Sequence, residues 1–268
     1  LKAAIKKRLH SILMPRGKNY IHLSELERGW DSVSISKSQK SISTIYKILD
    51  PKFPTVFLCH PYLAESRQFF LKRGHAQFYL DLGVNVVLFD CNGFGKSAFV
   101  NFKYEEDLDI VVKHFKVLLP ESHFIGHGIS FGASQVINYT SQSNPLFHHI
   151  IIENCLDSNL SYYKKRNPKL HMMMRILMVL IPGVNKNHNY IKSAHQISGV
   201  ASALLIYNED DDLTTISMGK QIQDKLRMVN RFIICKGKHL EAFEKNKDLY
   251  THWINTLIFN SVHLSKNP

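Results

Sequence analysis

The sequence predicts an α/β fold in which a mainly parallel, eight-stranded sheet is covered by helices on both faces and interrupted by one helical insertion. Three observations carry that expectation. Six short apolar runs are nearly continuous rather than alternating, as strands buried on both faces are. Stretches of helical periodicity separate most of them, and strand-helix alternation is the signature of a parallel sheet wrapped by helices. One interval between two strands exceeds forty residues, longer than a plain crossover.

Composition sets the frame. The chain has 268 residues, 44% hydrophobic and 21% charged, which excludes disorder, collagen and coiled coil and suits one domain over 1–268. Thirty-four Lys and Arg against 22 Asp and Glu give a net charge of +12, which favours acidic partners: an acidic carrier, an anionic lipid surface or nucleic acid. No nucleic-acid motif accompanies the charge, and it is spread over many segments, so nucleic acid is not expected. Cys59, Cys91, Cys155 and Cys235 lie far apart in or beside apolar runs, which indicates buried thiols in a reducing, cytoplasmic setting. No run is long enough to span a bilayer and the N-terminus carries no signal-peptide core. The first residue is Leu, which points to a segment upstream.

Taken in order, residues 1–20 hold a basic amphipathic helix. Leu1, Ile5, Leu9, Ile12 and Leu13 share one arc, Lys6, Lys7 and Arg8 lie largely off it, and Pro15 with Gly17 ends the pattern. Such a helix packs on its own domain or makes peripheral contact with an anionic membrane. The alternating stretches 32–36 and 43–48 read as an antiparallel hairpin with one solvated face. The buried strands follow at 55–59, 85–89, 123–126, 149–152, 203–207 and 231–235, with helices expected over 67–82, 105–118, 134–142, 216–228 and 248–262. Residues 157–200 are the insertion, a helical cap or lid. Its Met-rich run 172–182 is too apolar for a solvated face, so it should pack on the core, where it could line an acyl-chain pocket.

The chemistry concentrates around Gly128-Ile129-Ser130-Phe131-Gly132, a GxSxG pattern directly after a strand and directly before a helix. A serine so placed sits on a tight turn that lifts its hydroxyl above the sheet, and small flanking residues let strand and helix backbones approach. A serine hydroxyl needs a general base and a group that orients it. Downstream, an acidic turn at 208–214 follows one strand, and His239 in Lys236-Gly237-Lys238-His239 follows the next. The order is serine, acid, histidine, each beyond a different parallel strand.

At this point the sequence resembles the α/β-hydrolase superfamily, over Ile45 to Phe259, most closely its serine esterase, lipase and thioesterase branches. The resemblance rests on Leu58-Cys59-His60-Pro61-Tyr62, similar to an oxyanion loop after the third strand; on Asp90-Cys91-Asn92-Gly93-Phe94-Gly95-Lys96-Ser97, similar to the turn after the fourth; on the elbow at Ser130; and on the acid and histidine. It implies an α/β-hydrolase fold, Ser130 as nucleophile, His239 as base, and Asp211 as the orienting acid. Asn208 and Thr215 depart from the family's acid turn, and Asp210, Asp212 and Asp157 are the alternatives for the acid. It implies an oxyanion hole from the backbone N–H groups of Phe131 and Tyr62, because Pro61 has none.

The expected function is hydrolysis of a carboxylic ester or thioester with an apolar acyl group, through an acyl-serine, on a small-molecule substrate and without cofactor or metal. Peptidase or amidase chemistry and a non-catalytic or partner-activated binding role on the same scaffold stay open. The glycines of 90–97 read as a structural turn rather than a phosphate cradle. His123 and His127 read as structural histidines on one strand face, since no carboxylate pattern completes a metal site.

Overall fold

The computed structural model describes residues 25–180 and 189–259, together with His10 and Ser11. The expected N-terminal amphipathic helix therefore lies, apart from those two residues, outside the described part. The chain divides into two compact units, Leu1–Tyr139 and Thr140–Pro268.

The N-terminal unit carries five strands in the order β1 (Asp31–Lys37), β2 (Lys40–Lys47), β4 (Asn85–Phe89), β3 (Thr55–Cys59) and β5 (Phe124–Ile129). β1 and β2 form the expected antiparallel hairpin, with Asp31 opposite Tyr46 and Lys37 opposite Lys40. β3 pairs in parallel with β4 on one side and β5 on the other. Every residue of β3, β4 and β5 is buried, which is why their sequences are apolar without alternation. Helices α1 (Gln68–Lys72), α2 (His75–Asp81) and α3 (Tyr104–Leu118) belong to this unit, and α4 (Phe131–Thr140) starts in it.

The single helix expected over 67–82 is instead two, broken at Gly74, whose φ of +80° caps α2 in the left-handed region. A helix cannot continue through that conformation, and glycine adopts it without a Cβ clash.

The turn after β4 is held from inside by Asp90, which is fully buried. Ser66 Oγ donates to Asp90 Oδ1 at 2.5 Å and the Lys96 amide to Oδ2 at 3.0 Å, while Arg67 pairs with Asp90 at 3.2 Å and Glu27 at 2.8 Å. This carboxylate fills the concavity of the turn, in keeping with the structural reading of its glycines.

The C-terminal unit carries the parallel strands β6 (Phe147–Glu153), β7 (Ser202–Asn208) and β8 (Val229–Cys235), in that order, with α8 (Ile216–Gln223), α9 (Ala242–Lys245) and α10 (Lys247–Phe259). β7 is buried throughout. β8 departs from expectation: only Ile233 and Cys235 are buried, while Val229 and Ile234 are exposed, because β8 pairs with β7 on one side and ends this strand order. The fold class is the expected one, eight strands, mainly parallel, flanked by helices.

The interval between β6 and β7 is helical, as expected: α5 (Asn159–Arg166), α6 (Pro168–Leu180) and α7 (Tyr190–His195). A bridge between Ser158 and Asn189 joins the residue before α5 to the residue before α7, and the Tyr190 amide donates to the Asp157 carbonyl at 2.9 Å. Ser158 caps α5 and Asn189 caps α7, each accepting a hydrogen bond from the first turn.

Where the side chains of the Met-rich run are described, at 172–176 and 179, none is buried in the core, contrary to expectation. On α6, Met172, Met173, Ile176 and Val179 are 65%, 43%, 53% and 83% exposed. The helix turns its other side, with Leu170, His171 and Met174 half-buried, toward α5, where His171 Nδ1 donates to the Leu160 carbonyl at 3.1 Å.

Candidate active site

In the N-terminal unit, β5 ends at Ile129 and α4 begins at Phe131, so Ser130 makes the whole turn alone. Its φ is +55°, in the left-handed region that a side chain disfavours. The flanking glycines are dictated by close approach. A Cβ on Gly132 would lie 1.8 Å from the Cys59 carbonyl oxygen, and one on Gly128 would lie 2.3 Å from the Gly132 backbone. Cys59 is the last residue of β3, so the start of α4 presses directly on the neighbouring strand. The GxSxG spacing is the sequence record of that contact.

The loop after β3 is fixed by His60, which is fully buried. The Cys91 amide donates to His60 Nε2 at 3.2 Å, so the ring proton sits on Nδ1 and donates to the Pro61 carbonyl at 2.9 Å. Burial holds His60 below its ordinary pKa, which keeps this tautomer neutral. The Leu63 amide donates to the same carbonyl at 2.8 Å, closing a three-residue turn centred on Tyr62. Tyr62 and Phe131 meet with ring centroids 5.2 Å apart, in edge contact. Phe94 lies 5.3 Å from Tyr62 and 5.6 Å from Phe131, and Tyr104 lies 5.0 Å from Phe131. An aromatic wall therefore stands beside the elbow.

In the C-terminal unit, Asp211 follows β7 and His239 follows β8. His239 Nδ1 donates to Asp211 Oδ2 at 2.6 Å. The acid side chain is fully buried and the imidazole is 23% exposed. The other Asp211 oxygen accepts the amides of Leu213 at 2.8 Å and Thr214 at 2.9 Å, and Oδ2 also accepts Thr214 Oγ1 and, at 2.8 Å, Asn154 Nδ2. Burial opposes ionisation of Asp211, but the hydrogen bond and charge of His239 and the Thr214 donors outweigh it and hold the carboxyl below its ordinary range. Donation from Nδ1 leaves the imidazole lone pair on Nε2, the atom a general base uses.

Of the alternatives for the acid, Asp157 accepts from the Ser158 hydroxyl at 3.3 Å at the base of the insertion. The Asp212 carbonyl accepts from Lys165, and the Asp210 amide donates to the Gly237 carbonyl at 3.2 Å. Asn154 and Thr214 are absent from the sequence-derived set although both bind Asp211. Thr214 stood in the motif as a turn residue; nothing in composition marks Asn154 beyond its place at the end of a strand run.

The four cysteines are free and buried, and burial pushes their thiols up, Cys235 to about 12, so none is a ready nucleophile. Among the described residues, no three His, Cys, Asp or Glu side chains cluster to hold a metal ion. His127 is buried and its Nδ1 lies 2.9 Å from the Tyr79 hydroxyl, whereas His123 precedes β5 and is exposed, so the two do not share a strand face. No helix among the described residues is long and apolar enough to cross a membrane.

No protein-family model and no curated protein matches the chain. Solved structures do. An esterase of Pyrococcus furiosus is similar at 20% identity, covering 90% of this chain and 94% of that one with a TM-score of 0.69. A thioesterase domain from the curacin biosynthetic pathway is similar at 13% identity, over 84% and 99%, with a TM-score of 0.60. A lidless α/β serine hydrolase of Xanthomonas campestris is similar at 15% identity, over 89% and 97%, with a TM-score of 0.61.

Proposed function

We propose that this chain, which has the α/β-hydrolase fold, is a serine hydrolase that cleaves a carboxylic ester or thioester of an apolar acyl group, with Ser130 as nucleophile, His239 as base and Asp211 as orienting acid. The observation that carries the reading is the Asp211–His239 hydrogen bond at 2.6 Å, which sets the imidazole in the tautomer a general base needs. The strained Ser130 elbow supports it, and so does the esterase and thioesterase chemistry named for the structural neighbours.

In the proposed cycle Ser130 Oγ attacks the acyl carbonyl while His239 Nε2 takes its proton. The Phe131 and Tyr62 amides receive the oxyanion. Collapse breaks the bond to the alcohol or thiol, which leaves with the proton from His239. Water, giving a proton to the same nitrogen, then attacks the acyl-serine; the carboxylic acid departs and Ser130 is restored. Asp211 stays ionised throughout and stabilises the imidazolium. Tyr62 and Phe131, half-buried and backed by the buried rings of Phe94 and Tyr104, offer apolar surface to the acyl chain. Four buried free thiols fit a reducing, cytoplasmic setting.

The test is hydrolysis of p-nitrophenyl esters of graded acyl length, and of an acyl thioester, by wild type beside Ser130→Ala. Activity lost in the variant with its melting temperature unchanged is expected. Wild-type activity in Ser130→Ala, or no turnover of any ester or thioester by folded wild type, would overturn the reading.

A further inference from the structure

The sheet and its flanking helices account for most large apolar side chains, but not for those on α6. Met172, Ile176 and Val179 fall at four- and three-residue intervals, with Met173 beside them, so they line one side of the helix, the side most open to water. An apolar helix face left open is a docking surface rather than a solvated one.

The charge around that face says what it fits. Lys169 and Arg175, both exposed, flank the same arc, and Lys164 and Lys165 are exposed on the helix before it. The insertion 157–200 holds seven of the chain's 34 basic residues and one of its 22 acidic ones, a net +6 of the chain's +12. A second copy of the chain would bring like charge against like charge. An apolar ridge bordered by long cationic side chains, in a stretch of sequence with no Asp or Glu between Asp157 and Glu209, is built for a surface that is apolar beneath and negative on top. The geometry suits lying on such a surface: α6 has 13 residues, about 20 Å of helix, too short to cross about 30 Å of hydrocarbon. Lys and Arg can bury their stems beside the apolar residues while their charges stay at headgroup level.

We infer that the exposed face of α6 docks the protein on an anionic lipid bilayer, with Met172, Met173, Ile176 and Val179 entering the headgroup boundary and Lys164, Lys169 and Arg175 pairing with lipid phosphates. The inference is independent of the hydrolase reading, since it needs neither Ser130 nor His239. It concerns the insertion and is separate from the contact that the sequence pattern suggests for residues 1–20.

The experiment is cosedimentation of the full chain with vesicles of phosphatidylglycerol and phosphatidylcholine, or of phosphatidylcholine alone, at moderate salt. Wild type should pellet with the anionic vesicles and stay in solution with the zwitterionic ones. Ile176→Glu with Val179→Glu should weaken partitioning about tenfold or more, and Lys169→Gln with Arg175→Gln by a smaller factor that shrinks as salt rises. Because all four side chains are exposed, melting temperatures should match wild type. Equal pelleting with both vesicle types, or unchanged pelleting of the Ile176–Val179 variant, overturns the inference. So does failure to pellet while purified acidic acyl carrier protein binds wild type and not that variant, which would give the face to a protein.

Discussion

Asn154 Nδ2 donates to Asp211 Oδ2 at 2.8 Å from a backbone held in the left-handed region, with φ of +49°. A buried asparagine at the end of β6 thus carries local strain while it holds the carboxylate that follows β7. That carboxylate accepts five hydrogen bonds, and only the one from His239 belongs to the proposed triad.

In the proposed triad Asn154 is a positioning residue, acting through Asp211. Asn154→Gly keeps the backbone conformation and removes the donor, so kcat should fall about tenfold with KM little changed. Asn154→Asp should do more than remove a donor. A second carboxylate beside Asp211 raises the pKa that its donors hold down, so activity should be lost at a higher pH on acidification than in wild type. Wild-type pH–rate profiles in both variants would make Asn154 purely structural.

Asp211→Asn should cost kcat about 10⁴-fold, because an amide in place of the carboxylate reverses the tautomer of His239 and no longer stabilises its charge. Asp157→Asn, altering a side chain that accepts from Ser158, should stay within a few-fold of wild type. Steady-state kinetics of the two variants on one ester decide the matter, and the opposite ranking would move the acid to Asp157.

How far the sequence reveals these features depends on how local their causes are. The buried strands are legible because burial on both faces demands uninterrupted apolar residues in β3, β4 and β7. The elbow is legible because the approach of α4 to β3 admits only hydrogen at Gly132. The bond from Asn154 to Asp211 joins residues 57 apart, and no spacing rule encodes it. The exposure of α6 escapes for another reason. An apolar helical run reads the same whether the protein's own core covers it or something outside does, and pattern alone favours the core.

Gly132→Ala should destabilise the N-terminal unit more than an ordinary surface change, by about 3 kcal/mol or more. The clashing atom is the Cys59 carbonyl, a backbone group that cannot swing away as a side chain would. Relief requires parting α4 from β3, which would also displace Ser130. Urea denaturation of Gly132→Ala against wild type measures the effect; a loss under 1 kcal/mol would mean the contact has slack. Gly29→Ala provides the contrast, since nothing lies within 4 Å of its added Cβ and only its φ of +79° opposes the change.

Acid should weaken the fold through its buried histidines. Burial lowers the pKa of His60 and takes that of His75 well below 6.5, with the neighbouring charges of His127 and Arg73 acting in the same direction on His75. In the unfolded chain both rings take up a proton near pH 6.5, whereas in the native state they remain neutral. The unfolded state therefore binds more protons below that pH, and stability falls on acidification through 6.5 by up to about 1.4 kcal/mol per pH unit for each ring. Above it the two contribute no slope. Asp107, which burial holds above its ordinary 3.8 despite Lys40, acts in the opposite sense, so the bare slope does not isolate the histidines. A variant does. His75→Leu removes the ring that packs against Phe69 and Phe70 and should flatten the decline of stability between pH 6.5 and 5 relative to wild type. An equally steep decline in the variant would show that His75 takes up its proton without unfolding.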